Sequence, residues 1–508
     1  MTGPIRSDNW QMIGERAGSP LNPATPTIDA VETTSAQRAS GAAEPWPSAG
    51  QAWYAVFVLS LGLMVTYLDR GILSLLVEPI KRDLRISDTQ MSLLMGFAFV
   101  CFYLLVAFPI ARLVDYKSRR AILGIGTAIW SLTTALSGLA RTFRQLFMYR
   151  VGAGVGAACG SPASFSMVAD LFPREKLPRA FAILFFGTFL GEGIALIVGG
   201  TLAGAFTRLS ATLPLMGTLH GWQLTLIVIG LPGLLVAALM ATIHEPPRRG
   251  RMAATSLGTA AAPQRPPVKD VLAFVWKNAG VFLPMFASMG ISAMTGFGIR
   301  SWAPSFYVRT YHWSVARYGL VQGLLALTIM PIGALTGSLM AEHLARKGHD
   351  DANMRTVFIG QCLAMPGMIL FPLMPTASLA IALSTLYTFF LFWTQAPMNA
   401  ALQIVTPNQM RGQVTAIFLF IFNVIGTGLG PTIVALFTDY LFHSDRMIGR
   451  SIAIATLALG VLTAIIMWLG IKPYGRAMAL LKAREASEGP AADAPPRKAG
   501  ALAPGYAP

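Results

Sequence analysis

The chain has 508 residues, of which 54% are hydrophobic and 12% charged, and its mean hydropathy is +0.57. Soluble domains usually have about a quarter charged residues, so this composition excludes an ordinary soluble protein and predicts a multi-pass membrane protein. The net charge of +16 comes mostly from Lys and Arg in short gaps between apolar stretches. Because no basic soluble module is evident, we expect no nucleic-acid partner.

Two polar tails flank the apolar part of the chain. Residues 1–50 are rich in Pro, Ser, Thr and Ala and contain no apolar core of a secretory signal, so they are predicted to be a disordered tail. Residues 473–508 become rich in Ala and Pro from about Glu485 onward and are predicted to be a second, mostly disordered tail.

The apolar part divides into windows long enough to cross a bilayer, which takes roughly 20 mostly apolar residues. Such windows begin near Trp53, Gln90, Ala121, Gln145, Arg179, Trp222, Ala279, Tyr318, Thr356, Ser378, Gly412 and Arg450. The runs are long and do not alternate, which favours helices over barrel strands. The predicted fold class is therefore an all-α membrane protein with twelve transmembrane helices.

Lysine and arginine are unevenly distributed between the two sets of predicted loops. The loops on the side of the tails, such as those around Lys117 and Arg248, carry more of them than the loops on the other side. Because cytoplasmic loops collect positive charge, both tails are predicted to be cytoplasmic. The predicted location is the cell membrane.

A polar, Pro-rich and basic loop, residues 245–276, divides the spans into six plus six. It separates an N-terminal bundle, residues 51–244, from a C-terminal bundle, residues 277–472. The two halves echo each other, since "FPREKLPRAFAILFFGTFLGEG" after predicted span 4 parallels "TPNQMRGQVTAIFLFIFNVIGTG" after span 10. Repeats of this kind are what transporters use to build two bundles around a central site.

Five charged residues lie inside predicted spans: Asp69, Arg70, Arg150, Glu192 and Arg300. A charge at a span centre costs about 2.5 to 3.5 kcal/mol on insertion scales, so such residues usually face a bundle interior or a wet cavity. Asp69 and Arg70 are neighbours and point to different sides of their helix, so each needs a partner elsewhere. Asp69 and Glu192 are predicted to couple transport to protons; a purely structural ion pair is the alternative.

The three arginines exceed the two acids, which favours an anionic substrate group, because Arg binds carboxylate or phosphate bidentately. Internal salt bridging is the competing interpretation. Further polar and aromatic residues are predicted to line the same cavity: Trp302, Trp393, Gln395, Asn399 and Asn423. Each of them alone is more often a packing residue.

The stretch "ARLVDYKSRR", residues 111–120, resembles the loop motif Gly-x-x-x-Asp-Arg/Lys-x-Gly-Arg-Arg of the major facilitator superfamily. Asp115, Arg119 and Arg120 match the motif, and Glu342 in "GSLMAEHLARKG" lies near the acidic position of a second copy. The resemblance implies that these residues act as a gating latch. Asp170, at a predicted cytoplasmic helix end, is also predicted to be a gate residue.

A closer resemblance, to the spinster-like subgroup, covers most of residues 51–472. It rests on "YLDR", "RVGAGVGAACGSPASFSMVADLFP", "LGEGIALIVGG" and "SWAPSFYVRTY". Where the subgroup has a glutamate implicated in coupling, this chain has Ala157, and we hypothesise that Glu192 partly replaces it. Ala195 and Leu196 stand where the proton-antiporter motif has Gly-Pro, which makes a drug/proton antiporter less favoured.

These observations predict a secondary transporter that works by alternating access, is coupled to protons, and moves an anionic or amphipathic molecule such as an organic acid or a lipid phosphate. The expected partners are the bilayer, that substrate and protons, and the expected state is a monomer. No phosphate-binding motif, metal-ligand spacing or catalytic carboxylate pair is evident, so we expect no cofactor, no metal and no enzymatic activity. The alternatives are an uncoupled facilitator of an organic anion or a sugar derivative, a channel, and a non-transporting membrane sensor or anchor.

Overall fold

The computed structural model describes residues 46–173, 176–207, 209, 211–213, 217–247, 266–407 and 409–488. Most of both predicted tails and the middle of the predicted central loop lie outside these ranges. Within the helices, the side chain of Asp115 also lies outside what the structure describes.

The first half of the chain forms nine helices and one hairpin within the described ranges. They are α1 Ala49–Leu75, α2 Val77–Leu84, α3 Asp88–Met95, α4 Phe97–Tyr116, α5 Arg119–Ser137, α6 Phe143–Ala157, α7 Gly160–Leu171, α8 Leu177–Phe206, β1 Ala211–Leu213, β2 Gly217–Leu219 and α9 Gly221–Ala241. The two strands pair antiparallel, with Thr212 opposite Thr218.

The second half begins with a short helix and continues with long ones. They are α10 Val268–Lys277, α11 Ala279–Tyr311, α12 Val315–Arg346, α13 Ala352–Leu370, α14 Ala377–Trp393, α15 Gln395–Val405, α16 Arg411–Ile421, α17 Gly430–Leu436 and α18 Ile448–Glu488. Two π-helical segments, Phe422–Leu429 and Phe437–Leu441, flank α17, and 3-10 turns lie at Phe371–Leu373 and Asp445–Met447.

Serine and threonine side chains mark where several helices begin. Ser87 accepts a hydrogen bond from the backbone of Gln90, whose side chain bonds back to Ser87, so α3 opens on a full capping box. α5, α6 and α12 each begin after a single N-cap, in which the side chain of Ser118, Thr142 or Ser314 accepts a hydrogen bond from a backbone N–H of the first turn.

Ten helical stretches in the described ranges are long and apolar enough to cross a membrane. They match ten of the twelve predicted spans. The other two predictions, near Ala121 and Gln145, fall on α5 and on the pair α6 and α7, which are helical but are not among those ten. α5 begins with Arg119 and Arg120, and these charges lower its mean hydropathy. α6 and α7 have 15 and 12 residues, so each alone is too short to span a bilayer. The count of twelve therefore stays a prediction, as does the cytoplasmic position of the tails.

Two predicted boundaries differ from the structure. The last helix continues to Glu488, past the predicted end of the C-terminal bundle at residue 472, and the predicted central loop contains α10. Both segments carry charged residues among their apolar ones, so a search for continuous apolar windows does not include them.

The apolar core shows how the two halves meet. Near the tails, each half has a core of its own, built around Val56 and Met167 in the first half and around Phe282 and Val414 in the second. At the opposite end a single cluster joins both halves, with Leu76 and Trp302 among its members. The halves are therefore packed together at the end away from the tails and have separate cores at the tail end.

Candidate functional site

A central cavity lies between the two halves and encloses about 1460 Å³ of empty space, open solvent included. Its first wall comes from α1, α4, α6 and α8 and carries Arg70, Phe99, Arg150 and Glu192. Its second wall comes from α11, α12, α14, the start of α15 and residues 422–431, and it carries Arg300, Gln322 and Tyr387. The predicted intramembrane charges converge here, except Asp69, which lies just behind the wall.

Asp69 is held by three hydrogen-bond donors and is only 1% exposed. Arg150 donates from Nη1 at 2.9 Å, Trp130 from Nε1 at 3.1 Å and Thr134 from Oγ1 at 3.0 Å. Arg150 is equally buried, so the two charges neutralise each other within the first half. Both carboxylate oxygens of Asp69 therefore have hydrogen-bond partners within the first half.

Arg70 lines the cavity without an ion pair among the described residues. Its guanidinium carbon lies 4.4 Å from the ring centroid of Phe99, a cation–π contact, and its buried Nε has no hydrogen-bond partner. Because Asp69 is taken by Arg150, Arg70 is the cationic group of the cavity that a ligand anion could neutralise.

Glu192 and Arg300 form an ion pair across the cavity between the two halves. Arg300 Nη2 donates to Glu192 Oε2, and the side chain of Glu192 is 5% exposed whereas that of Arg300 is 32% exposed. Glu192 is on α8 and Arg300 on α11, so the pair joins elements that belong to different halves. The exposed part of Arg300 faces the cavity and can accept a second anion.

The second wall also has a broad apolar part. Phe297, Met330, Leu391, Phe392 and Phe422 contribute to it. The cavity thus combines a cationic region with an aromatic and aliphatic one, an arrangement that suits a molecule with an anionic end and an apolar body.

The other predicted cavity residues lie in different places. Gln395 lines the cavity, as predicted. Trp302 does not, because it is fully buried and donates from Nε1 to the backbone oxygen of Pro431 at 2.8 Å. Trp393 packs against Phe389 and Phe390, and the amides of Asn399 and Asn423 donate to backbone carbonyls of their own helices. None of these four is among the residues that line the cavity.

The predicted gating residues form a network at the tail end of the first half. Arg119 is buried, and its Nη1 donates to the carboxylate of Asp170. Its Nη2 donates to the backbone oxygen of Pro246 at 2.7 Å. Glu245 accepts from Ser118 and from the backbone of Arg119. Partial burial alone would raise the pKa of Glu245, but these hydrogen bonds and the Arg119 charge hold it below its usual value. This network ties α5 to α7 and to the segment after α9.

Two more predicted gating residues are exposed on the surface. Arg120 donates to the backbone oxygen of Ile243 at 3.4 Å, and Glu342 pairs with Arg346 one turn later on α12. The second-half copy of the motif thus makes only a local contact. The role of Asp115 stays a prediction.

A cluster of charges closes the end of the cavity away from the tails, and sequence reasoning missed it. Arg309, in the second half, donates to Asp88 at 2.8 and 2.9 Å and to Glu78 at 2.8 Å, both in the first half. Lys81 pairs with Asp88 and reaches Asp445 across the halves. The signal in the sequence was charge at the helix ends, but the partners that join the two halves are more than 200 positions apart, and only the fold pairs them.

A second contact at this end joins the same two halves. The carboxylate of Asp439 accepts from both the backbone and the hydroxyl of Thr89, at 2.7 and 2.6 Å. With the shared apolar cluster, these polar contacts hold the halves closed at this end.

Comparison with known proteins supports the transporter interpretation. Residues 59–431 match the family model of the Major Facilitator Superfamily. An "MFS-type efflux pump" of Mycolicibacterium smegmatis is 26% identical over 84% of this chain and 94% of its own length. A "Hexuronate transporter" of Bacillus subtilis is 25% identical over 76% and 87%, and "Protein spinster homolog 1" of Xenopus tropicalis is 25% identical over 76% and 73%.

The fold also resembles a solved structure. A bacterial homolog of the human lysosomal transporter spinster, in an inward-facing and occupied conformation, superposes with a TM-score of 0.68 at 22% identity, covering 86% of this chain and 99% of that one. At this identity, the likeness establishes the fold.

Proposed function

Since the chain belongs to the major facilitator superfamily, we propose that it is a secondary transporter of an anionic, amphipathic molecule, driven by a proton gradient. The resemblance to this superfamily and its spinster-like subgroup, predicted from the sequence, is confirmed by the family match and the spinster relative. Ten helical stretches of the described chain are long and apolar enough to cross a membrane, and its relatives include an efflux pump and a hexuronate transporter. The observation that carries the finer proposal is the cavity, in which Arg70, without an ion pair among the described residues, lies beside the Glu192–Arg300 pair that spans the halves.

An anionic substrate group follows from the charge balance of the site. Three arginines, Arg70, Arg150 and Arg300, face two carboxylates, so the region carries one excess positive charge. A carboxylate or phosphate that contacts Arg70 supplies the missing charge, and a guanidinium binds either group in bidentate fashion. The hexuronate transporter among the relatives is consistent with an organic acid.

We derive proton coupling from competition between Glu192 and the anionic group of the substrate for Arg300. If the anionic group of the substrate takes over Arg300, Glu192 is left buried without its counter-charge, which is costly. Uptake of a proton removes that cost, so the anion and the proton bind together. Substrate binding and protonation at the same pair would then favour the same conformational change. Asp69 remains the second candidate for the proton site.

The halves are closed away from the tails, so the cavity opens toward the tail end. With the tails on the cytoplasmic side, as the distribution of positive charge predicts, this is an inward-facing state. Alternating access then requires the cluster at Arg309 and Asp88 to open while the tail end closes.

Transport in proteoliposomes tests the substrate class. The probes are D-glucuronate and oleoyl-lysophosphatidate, with D-glucose and mono-oleoylglycerol as their uncharged counterparts. We expect uptake of an anionic probe at least tenfold above that of its uncharged counterpart, and loss of this uptake in Arg70→Gln. Arg317→Gln is the matched control, because Arg317 stacks on Trp313 away from the cavity. Equal uptake of charged and uncharged probes would contradict the proposal.

The same vesicles test proton coupling. Wild-type protein should concentrate the transported probe when a pH gradient is imposed, whereas Glu192→Gln should equilibrate the probe without concentrating it. If Glu192→Gln responded to the gradient as wild type does, coupling at Glu192 would be ruled out.

One observation favours an uncoupled facilitator as the second candidate. Asp69 is fully satisfied by its three donors and therefore fits a structural role. The measurement is the flux of the probe as a function of pH in wild type, Asp69→Asn and Glu192→Gln. If the flux were independent of pH in all three, the protein would be a facilitator.

A further inference from the structure

The short helix α10, which precedes α11, has two different apolar faces. Val271, Phe274 and Val275 are buried in the core of the second half. Val268, Leu272 and Trp276 recur every four residues, so they form one stripe on the helix surface. These three side chains are 51%, 50% and 76% exposed. Nothing in the described part of the chain covers this stripe.

Two anchors place α10 across the end of the second half. At its start, the side chain of Gln413 near the beginning of α16 donates to the backbone oxygen of Pro266 at 2.8 Å. At its end, Asn278 interrupts the helix, and the rings of Phe274 and Phe282 pack at 5.5 Å. A ten-residue helix is about 15 Å long. It therefore runs from the start of α16 to the start of α11 and does not prolong α11 away from the bundle.

This position is at the edge of the membrane. The stretches Ala279–Tyr311 and Arg411–Leu441 are both apolar enough to span the bilayer, and both begin where α10 is attached. The exposed stripe is therefore at the depth where a span meets the headgroups. Tryptophan is the residue enriched at that depth.

Four exposed cations lie on helices that share the core of the second half with α10. At about 100° per residue, Lys269 lies directly beside the stripe, whereas Lys277 and the exposed Asp270 lie farther round the helix, about 140° and 160° from the middle of the stripe. The last helix, α18, packs into the same core through Tyr474 and Ala477 and adds the exposed Lys472 and Arg476. The nearby Asp350 and Asp351 are paired with Lys482 and Arg355.

We propose that α10 is an interfacial helix that binds anionic phospholipid at the tail end of the bundle. The Val268, Leu272 and Trp276 stripe lies at the boundary between headgroups and acyl chains, and the four cations of α10 and α18 contact lipid phosphates. An amphipathic helix with an apolar stripe and exposed lysines has the features of a helix that lies in the plane of the membrane. Basic residues next to a span are attracted to an anionic leaflet. The surface is separate from the central cavity and does not depend on the substrate.

Spin labels on a cysteine-free background of the full chain test the depth of α10. The labels are placed by Trp276→Cys on the stripe and by Asp270→Cys on the polar flank, as matched positions of one helix. In vesicles of equal parts phosphatidylglycerol and phosphatidylcholine, the label at 276 should be accessible to oxygen and shielded from a water-soluble nickel chelate. The label at 270 should show the reverse. Equal accessibility of both labels to the chelate would overturn the proposal.

The lysines are tested by lipid-dependent stability. Phosphatidylglycerol should raise the unfolding temperature of the wild-type protein above its value in pure phosphatidylcholine, and this increment should fall at least by half in Lys269→Gln/Lys277→Gln. Lys176→Gln, which removes an exposed cation at the tail end of the first half, should keep the full increment. An unchanged increment in the double variant would show that α10 does not select anionic lipid and would overturn the proposal. That result is expected if a protein partner, and not lipid, covers the stripe.

Discussion

Asp69 shows how a single intramembrane charge can be stabilised without solvent. Its carboxylate accepts from Arg150, Trp130 and Thr134, so each oxygen of the carboxylate is bonded. The neighbouring Arg70 points elsewhere, onto Phe99 in the cavity. The pair adjacent in sequence is therefore not a pair in space, and the two residues have different environments.

Asp69→Asn should destabilise the protein, because Arg150 would remain buried without a counter-charge. Breaking a buried pair from one side costs about 3–5 kcal/mol. Thermal unfolding in detergent should show a clear loss for Asp69→Asn and a smaller one for Asp69→Asn/Arg150→Gln. A variant as stable as wild type but with an altered pH response of transport would instead assign Asp69 to proton coupling.

At the scale of the element, close helix contacts depend on glycine. Gly319 on α12 lies against α8, where an added Cβ would come within 2.1 Å of the backbone oxygen of Leu196 and 3.0 Å of the Cα of Gly200. Since both neighbours are backbone atoms, they cannot move aside independently of the helix. This contact lets one helix of each half approach closely beside the cavity.

Gly319→Ala should therefore separate α8 from α12 and destabilise the protein by about 1–3 kcal/mol, the usual cost of overpacking. Gly412→Ala is the matched control, because an added Cβ there meets nothing within 4 Å. Unfolding temperatures should fall for the first variant and stay unchanged or rise for the second. Equal stability of both variants would contradict the close contact.

The Glu245 network provides a pH prediction at the scale of the connecting segment. Because the pKa of Glu245 is held below its usual value, its ionised form stabilises the fold at neutral pH. That contribution is complete above the unfolded pKa of about 4.3 and is lost as pH falls through the lower folded pKa. Glu245→Gln should lower the unfolding temperature at pH 7, and the difference from wild type should shrink toward pH 3. A difference that persisted unchanged at pH 3 would assign the effect to packing.

At the scale of the whole molecule, the charge cluster away from the tails stabilises one conformation. Arg309 bonds to Asp88 and Glu78, so these contacts exist only while the halves are closed at that end. Breaking them weakens that state and leaves Asp88 buried without its main partner. An interface of this kind can shift a two-state equilibrium.

Arg309→Gln should increase the population in which that end is open. Distances between spin labels at Arg85→Cys and Arg446→Cys, one in each half, measure this opening. We expect a longer distance to gain population in Arg309→Gln and not in Arg317→Gln, a control from the same end of the molecule. An unchanged distance distribution would mean that the shared apolar cluster alone holds the halves closed.

The sequence by itself determined the class and ten of the candidate spans, because these follow from apolar length. It also singled out the charged residues inside the spans, because a charge in hydrocarbon is costly. Only the tertiary structure decided which charges pair: Asp69 with Arg150, Glu192 with Arg300, and Arg309 with Asp88. The structure also shows that Trp302 and Trp393, which were expected to line the cavity, pack between helices. Pairing and orientation depend on how distant helices rotate against each other, and periodicity within one helix carries no information about its neighbours.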